Sequence, residues 1–572
     1  MFVGAAGIVP WALYGGVAVL AAGALVAAVQ QRRELGRPRL LLLTAAVVTC
    51  GWCLFTAVPL PDALLAPAGS AHAEIREHAR TALTEAHAAG LAERADDGFS
   101  LSLNRAGTLR LCLVLVGCWC AGWLTASMSA ANKRRYLRFL VAAGAVLALG
   151  GLLAQYGEAP GGRIWWVLPV AVERSFGCFV SPNHYGAFLA MVLPAIIAFG
   201  VDDIRRREWE RLAVWGSALL VFIAGVVASG SRGAYLIMVV SLAATGLVFL
   251  IGRSRRTGLA LSACVAVALI AVATLTTPAM DKELSTIHRM DGQSLTRLAV
   301  WRDGLQLWRE FPLAGAGLEA FRMLSPAHAR ADADRYFHHA ESTYVQLLTD
   351  TGVIGLLLAL GVVAALLYHT IPKVREGRYS YTVLVSATPA VAVVLVHAVY
   401  DFAVHVPLYA VVAAGFVGLL VGRPASAFFS HQQVAHNTPP PPSPRQWLLP
   451  ALLLLALVTT GAVGGVLGGE INRRDREVWA RNAHWDALSA DLAWAPAHWA
   501  TWYYLGRHAQ AQFSRSTRAF GAGCIARATQ LNPAKPELWL SLKQVRQQLG
   551  DDEAAGRAYA RYLDLLEREH GQ

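Results

Sequence analysis

The chain has 572 residues, 55% of them hydrophobic and only 15% charged, with a mean hydropathy of +0.42. Soluble domains carry roughly 25% charged residues, so this composition excludes a soluble globular enzyme and indicates a polytopic membrane protein. The net charge of +12 does not imply nucleic acid, because the basic residues sit in short clusters between apolar runs and form no stripe with interleaved aromatics.

Apolar runs long enough to cross a bilayer occupy residues 9–30, 40–60, 107–129, 137–156, 183–201, 212–229, 234–252, 258–276, 343–369, 381–400, 406–422 and 447–469. They predict an all-α membrane bundle of about 12 spans. No cleavable signal peptide is expected, since the first run lacks a basic n-region and leads straight into QRRELGRPR. QRRELGRPR, NKRRYLR, DDIRRREWER, GRSRR and PKVREGR fall on alternate turns, which places them on the cytoplasmic face. The outer face then receives residues 61–105, 157–182, SGSRG, 277–341, YDFAVHVP and the tail after about 470. Of the eight cysteines, only Cys178 and Cys524 lie outside apolar runs, so neither a disulfide framework nor a metal cluster follows.

This divides the chain into a membrane core over 1–422, a Pro-rich cytoplasmic linker over 423–446, a last span over 447–469 and a soluble, periplasmic helical domain over 470–572. In the last of these, APAHWATWYYLG (495–506) and KPELWLSLKQVR (535–546) superpose with Pro496 on Pro536 and Trp499 on Trp539, and DDEAAGRAYARYLDLL adds a further helix. These features resemble tetratricopeptide repeats, with a spacing of forty residues that requires an insertion near FSRSTRA. An unrelated bundle of helical hairpins is the alternative.

Five stretches, all on the predicted outer face, hold the residues able to do chemistry. In RSFGCFVSPNHYGAFLAMVLP (174–194), Pro182 and Asn183 open a span with His184 in its first turn, and Asn183 suits a simple helix cap. In SGSRGAYL (229–236), Arg232 is either a snorkelling anchor or a ligand-binding cation whose flanking glycines admit a close approach. In SLTRLAVWRDGLQLWREFPLAGAGLEAF (294–321), Leu298, Trp301, Leu305 and Trp308 recur at helical spacing to lie on a membrane surface or the bundle, displaying Arg297, Arg302 and Arg309. FHHAESTYVQLLTDTG (337–352) places His338, His339, Glu341 and Asp350 at the mouth of an apolar span, where unpaired charge is costly and function is the default reading. If this stretch is helical, His338, Glu341 and Tyr344 share a face; the plainer reading has Glu341 capping the helix. HAVYDFAVHVP (397–407) carries Asp401 and His405 around an outer turn. Several guanidiniums beside a lipid-facing cavity suit a pyrophosphate, which they grip bidentately, and a nearby carboxylate or imidazole suits deprotonation of an attacking hydroxyl.

At these residues the chain resembles the O-antigen ligase and polymerase-like family of bacterial membrane glycosyltransferases. The resemblance is carried by Gly177, Phe179 and Asn183–His184; by Ser231–Arg232–Gly233; by Arg297 with Trp301, Pro312, Gly315 and Gly317; and by His339 through Gly352 and Gly355. It covers roughly residues 170–410, and its specificity lies in the order of the stretches. The chain departs from the family pattern at one point. Ligases place a histidine before a small polar residue ten positions ahead of the first glycine of Gly-x-x-Gly, and here Glu341 stands in that place before Ser342, with His339 two residues upstream.

The resemblance implies a glycosyltransferase of the inner membrane with a periplasmic site, needing neither cofactor nor metal. It would move a glycan from undecaprenyl diphosphate to a hydroxyl of lipid A core, a growing polysaccharide or a protein. Glu341, His339 and Arg232 are the expected catalytic residues, and Arg297, Asn183, His184, His338, Tyr344, Asp401 and His405 the expected substrate-binding ones. The tail is expected to bind a protein or polymer partner, which favours polymer assembly. The alternatives are a flippase for the lipid-linked glycan, marked by charges near the bilayer midplane, and a scaffold for an envelope complex.

Overall fold

The computed structural model describes residues 16–17, 19–24, 37–89, 98–156, 163–164, 168–169, 176–251, 292–328, 337–375, 379–422, 485–511 and 514–570. These residues are overwhelmingly helical; the strands among them are the two-residue antiparallel pair Arg163–Ile164 and Leu168–Pro169. Among the described residues seven helices are long and apolar enough to cross a membrane: Arg105–Ser127, Ala130–Tyr156, Pro182–Arg206, Trp209–Ala228, Arg232–Ile251, Thr343–Pro372 and Tyr381–Tyr400. Two shorter apolar helices, Leu41–Ala57 and Pro407–Val421, coincide with the runs expected at 40–60 and 406–422. The spans expected at 258–276 and 447–469, most of the one at 9–30, and the Pro-rich linker lie outside the described residues.

The chain forms two compact units, one of Met1–Val47, Leu113–Asp291 and Gly361–Val466, the other of Val48–Cys112, Gly292–Leu360 and Leu467–Gln572. Helices are named in chain order: α1 (Arg37–Ala57), α2 (Asp62–Leu65), α3 (Ser70–Ala88), α4 (Arg105–Ser127), α5 (Ala130–Tyr156), α6 (Pro182–Arg206), α7 (Trp209–Ala228), α8 (Arg232–Ile251), α9 (Gly292–Glu310), α10 (Phe321–His328), α11 (Thr343–Arg375), α12 (Tyr381–Tyr400), α13 (Pro407–Val421), α14 (Trp485–Trp494), α15 (Trp499–Gln510), α16 (Arg515–Leu531), α17 (Pro536–Gln548) and α18 (Asp552–His570).

In the first unit, α6 is the central helix, buried from His184 to Ile196 among α5, α7, α8 and α12. Small residues let the backbones approach, as is usual where lipid supplies no hydrophobic drive between helices: a Cβ on Gly186 would lie 2.2 Å from that of Ala234. Pro194 lies inside α6 and cannot donate to Ala190 O four residues earlier. Ser241 of α8 supplies the missing donor at 2.6 Å.

In the second unit, three polar segments far apart in sequence share cores. Leu65, Leu83 and Phe99 pack with Leu488, Leu492, Trp502 and Leu505, while Ile75, Leu103, Val300, Phe311 and Phe321 pack with Ala497. The buried face of α9 is therefore Val300 and Leu307, whereas Leu298 and Leu305 of the expected apolar stripe stay exposed.

The tail folds as successive helical hairpins, α15–α16 and α17–α18. Trp499 and Pro536 open their first helices and Arg515 and Asp552 their second, so both pairs are 37 residues apart. The indoles of Trp502 and Trp539 each donate to a proline carbonyl at 2.8 Å, of Pro496 and Pro533 respectively. That geometry corrects the expected register of forty residues: Pro496 corresponds to Pro533, and Trp502, not Trp499, to Trp539.

Candidate functional site

In the first unit, one network joins the start of α6, the start of α8 and the turn after α12. Ser181, not Asn183, is the N-cap residue of α6, and Pro182 takes the first helical position, where no donor is needed. The expected capping role of Asn183 gives way to a tertiary one: its Nδ2 donates to Asp401 Oδ2 at 3.2 Å and its Oδ1 accepts from the Ser231 hydroxyl. Ser231 in turn accepts from Ala234 N at 3.1 Å, capping α8, and Tyr400 donates to Gly233 O at 3.0 Å. Half-buried Arg232 is thereby held on both flanks. His184 Nε2 donates to Asp401 Oδ1 at 2.8 Å, and His397 Nε2 lies 3.6 Å from Oδ2. Burial alone would raise the Asp401 pKa, but the His184 hydrogen bond, with the charges of His184 and His397, outweighs it and holds the carboxyl at about 2. His405 ends the short 3₁₀ turn Ala403–His405 in the same stretch.

In the second unit, α11 is broken at Gly352, whose φ of 60° and ψ of −164° are not helical. The break frees carbonyls and amides that the 312–317 loop takes up. Ala316 N donates to Thr349 O and Gly317 N to Asp350 O, each at 2.9 Å, while Val353 N donates to Pro312 O at 2.9 Å and Ile354 N to Leu313 O at 3.1 Å. The approach is too close for side chains: a Cβ on Gly352 would stand 2.3 Å from Leu313 O. The glycine motifs that carried the resemblance are therefore the two halves of one joint. His72 braces it, its Nε2 donating to Gly315 O at 3.0 Å.

The joint carries the chemical groups. Glu319 sits at φ 60°, with its N–H on Asp350 Oδ2 at 2.9 Å and its carboxylate paired with Arg110. Residues 337–342 precede α11 and are not helical, so His338 and Glu341 do not share a helix face with Tyr344 as expected; the cap position of α11 falls to Ser342, whose carbonyl accepts from Gln346 N at 2.9 Å, and not to Glu341. Glu341 instead takes a left-handed φ of 51°. Its carbonyl accepts from Trp301 Nε1 at 3.2 Å, and its carboxylate lies 3.7 Å from Arg297 Nε. His339 Nδ1 lies 3.1 Å from Gln346 Oε1, His338 is exposed, and Tyr344 is 43% exposed.

The geometry thus brings together Asn183, His184, Asp401 and the Arg232 turn in one unit, and in the other it pairs Arg297 with Glu341 and His339 with Gln346. Tyr400, Arg110, Glu319 and Gln346 were not anticipated, and Ser231 only as part of its motif; the polar residues Gln346 and Glu319 beside a glycine motif were the available signal. Among the described residues no group of three or more His, Cys, Asp or Glu side chains is arranged to hold a metal ion. A carboxylate or a held imidazole can withdraw a proton from a hydroxyl, and a guanidinium can steady an anionic leaving group.

Residues 217–360, which hold Arg232, Arg297, His339, Glu341 and the Gly352 break, match the family model described as O-Antigen ligase. No curated protein matches the chain. With several apolar helices of membrane-crossing length among the described residues and this match, the chain is a multi-pass membrane protein bearing an O-antigen ligase-like domain.

Proposed function

We propose that the protein is a glycosyltransferase of bacterial envelope assembly, seated in the cytoplasmic membrane, that moves a glycan from undecaprenyl diphosphate to an acceptor hydroxyl on the periplasmic side. The observation that carries this reading is the 3.7 Å approach of Arg297 to Glu341 on the glycine joint, inside the segment that matches the ligase family. The acceptor O–H loses its proton to a base in the His339–Glu341 stretch. Its oxygen forms a bond to the anomeric carbon, and the carbon–oxygen bond to the diphosphate breaks with both electrons leaving on the lipid diphosphate. Arg297 is assigned to those phosphate oxygens, and Arg232 to an anion on the chemistry of its own braced turn, because guanidinium stays charged and matches phosphate bidentately. The hairpin tail is assigned to a protein or polymer partner, since stacked helical pairs present extended binding surfaces.

The test uses the purified full chain in lipid discs with an undecaprenyl-diphosphate-linked glycan and acceptors bearing lipid A core, polysaccharide or protein hydroxyls. Wild type should release undecaprenyl diphosphate, and Arg232→Ala and Arg297→Ala should abolish release with unchanged folding. A transporter would leave the lipid diphosphate intact, and such a result across several donors would end the transferase reading.

A further inference from the structure

We infer, on the transferase reading above, that Gln346 is a positioning residue that fixes the His339 imidazole as its Nδ1–H tautomer, so that Nε2 is the nitrogen that takes the acceptor's proton. Gln346 lies in the first turn of α11 and is 1% exposed. Its amide orientation is set from both ends. Ala340 N, which can only donate, lies 3.2 Å from Oε1. Asp350 Oδ2, which already accepts the Glu319 amide at 2.9 Å, lies 3.4 Å from Nε2. Reversing the amide would set its NH₂ against the Ala340 N–H and its carbonyl against an oxygen that already serves as an acceptor.

His339 Nδ1 is 3.1 Å from the same Oε1, an acceptor, so Nδ1 must bring the hydrogen. A neutral imidazole has one N–H, which leaves the lone pair on Nε2. On proton transfer the acceptor O–H pair becomes the new bond to the anomeric carbon, the proton goes to Nε2, and Nδ1–H keeps its bond to Gln346. This is the logic by which a carboxylate or carbonyl behind a histidine selects the reactive nitrogen. It assigns His339 rather than Glu341 as base, Glu341 being the group that meets Arg297.

The experiment compares wild type, Gln346→Leu, Gln346→Glu, His339→Gln and the Gln346→Leu/His339→Gln double variant in lipid discs, with thermal unfolding as the check on folding. Gln346→Leu should lower kcat by about a hundredfold, the low end of what a positioned base contributes, with KM unchanged. Gln346→Glu, which keeps an acceptor for Nδ1–H but loses the donor to Asp350, should recover part of the kcat lost in Gln346→Leu and move the acid limb of the kcat/KM profile to higher pH, because the added charge favours the imidazolium. In the His339→Gln background Gln346→Leu should cost nothing further; an equal further loss would make Gln346 merely structural and overturn the inference. Nitrogen-15 NMR of labelled histidine supplies a readout free of turnover: the His339 signal, assigned by its loss in His339→Gln, should show a bare Nε2 in wild type and lose that preference in Gln346→Leu. A wild type carrying Nε2–H overturns the inference whether or not the protein is active, and a bare Nε2 without release of lipid diphosphate refutes the transfer reading instead.

Discussion

His72 is fully buried against the edge of Phe311, at 4.8 Å between centroids, with Nε2 committed to Gly315 O and Nδ1 lacking a partner among the described residues. Burial pushes its pKa down to about 4, the Gly315 bond working the other way and Arg76 adding to the fall. The unfolded chain therefore binds the proton first as pH drops. Stability is intact above about 6.5 and falls between there and about 4, with a slope of about 1.4 kcal/mol per pH unit. Unfolding midpoints measured across that window should drop steeply in wild type and flatten in His72→Gln. Glu341 makes the opposite kind of residue-scale statement, because its left-handed φ of 51° is strained for any side chain. Glu341→Gly should raise stability by about 1 kcal/mol through relief of that strain while lowering glycan transfer. A midpoint that rises as activity falls marks a residue kept for chemistry; a fall in both would make Glu341 a structural residue.

Among elements, α6 shows how a membrane helix tolerates an interior proline. The Ala190 carbonyl that Pro194 cannot serve is fed by Ser241, so Ser241→Ala leaves a buried acceptor unsatisfied. The expected cost is about 1–3 kcal/mol, read from the unfolding midpoint in detergent, and Pro194→Ala should rescue it by restoring the helical N–H. The existence of α6 was legible, because an apolar run of sufficient length is a local property of the chain. The role of Asn183 was not: sequence offered a local cap, while the true partner, Asp401, lies 218 residues away. The glycine motifs were visible as patterns but not as a joint, since the bonds between the 312–317 loop and the α11 break are backbone to backbone and write no side chain into the sequence. In the tail, two prolines three residues apart left the repeat register ambiguous, and the indole bonds to Pro496 and Pro533 decide it.

At the scale of the molecule, the second unit is not a membrane piece with a module appended to it. Phe99, Leu65 and Leu83 come from the predicted outer loop, yet they are buried against Leu488, Leu492 and Trp502 of the tail, and Ala497 enters the core that contains Val300 and Phe311 beside Arg297. Large apolar side chains stabilise by about 1.5–3 kcal/mol each when buried, so a chain ending at residue 469 loses several such contributions at once and exposes their partners. It should unfold at a lower temperature and lose release of lipid diphosphate although no tail residue is assigned to the reaction. Supplying residues 470–572 as a separate chain should recover part of both. A scaffold protein predicts a different pair of results, since it needs the tail but not the guanidiniums. Arg297→Ala in the intact chain separates the cases: loss of release with the unfolding midpoint held means that the tail serves the reaction by building the unit that carries Arg297, and full activity in that variant would leave the tail as the working part and the ligase-like chemistry without a place to act.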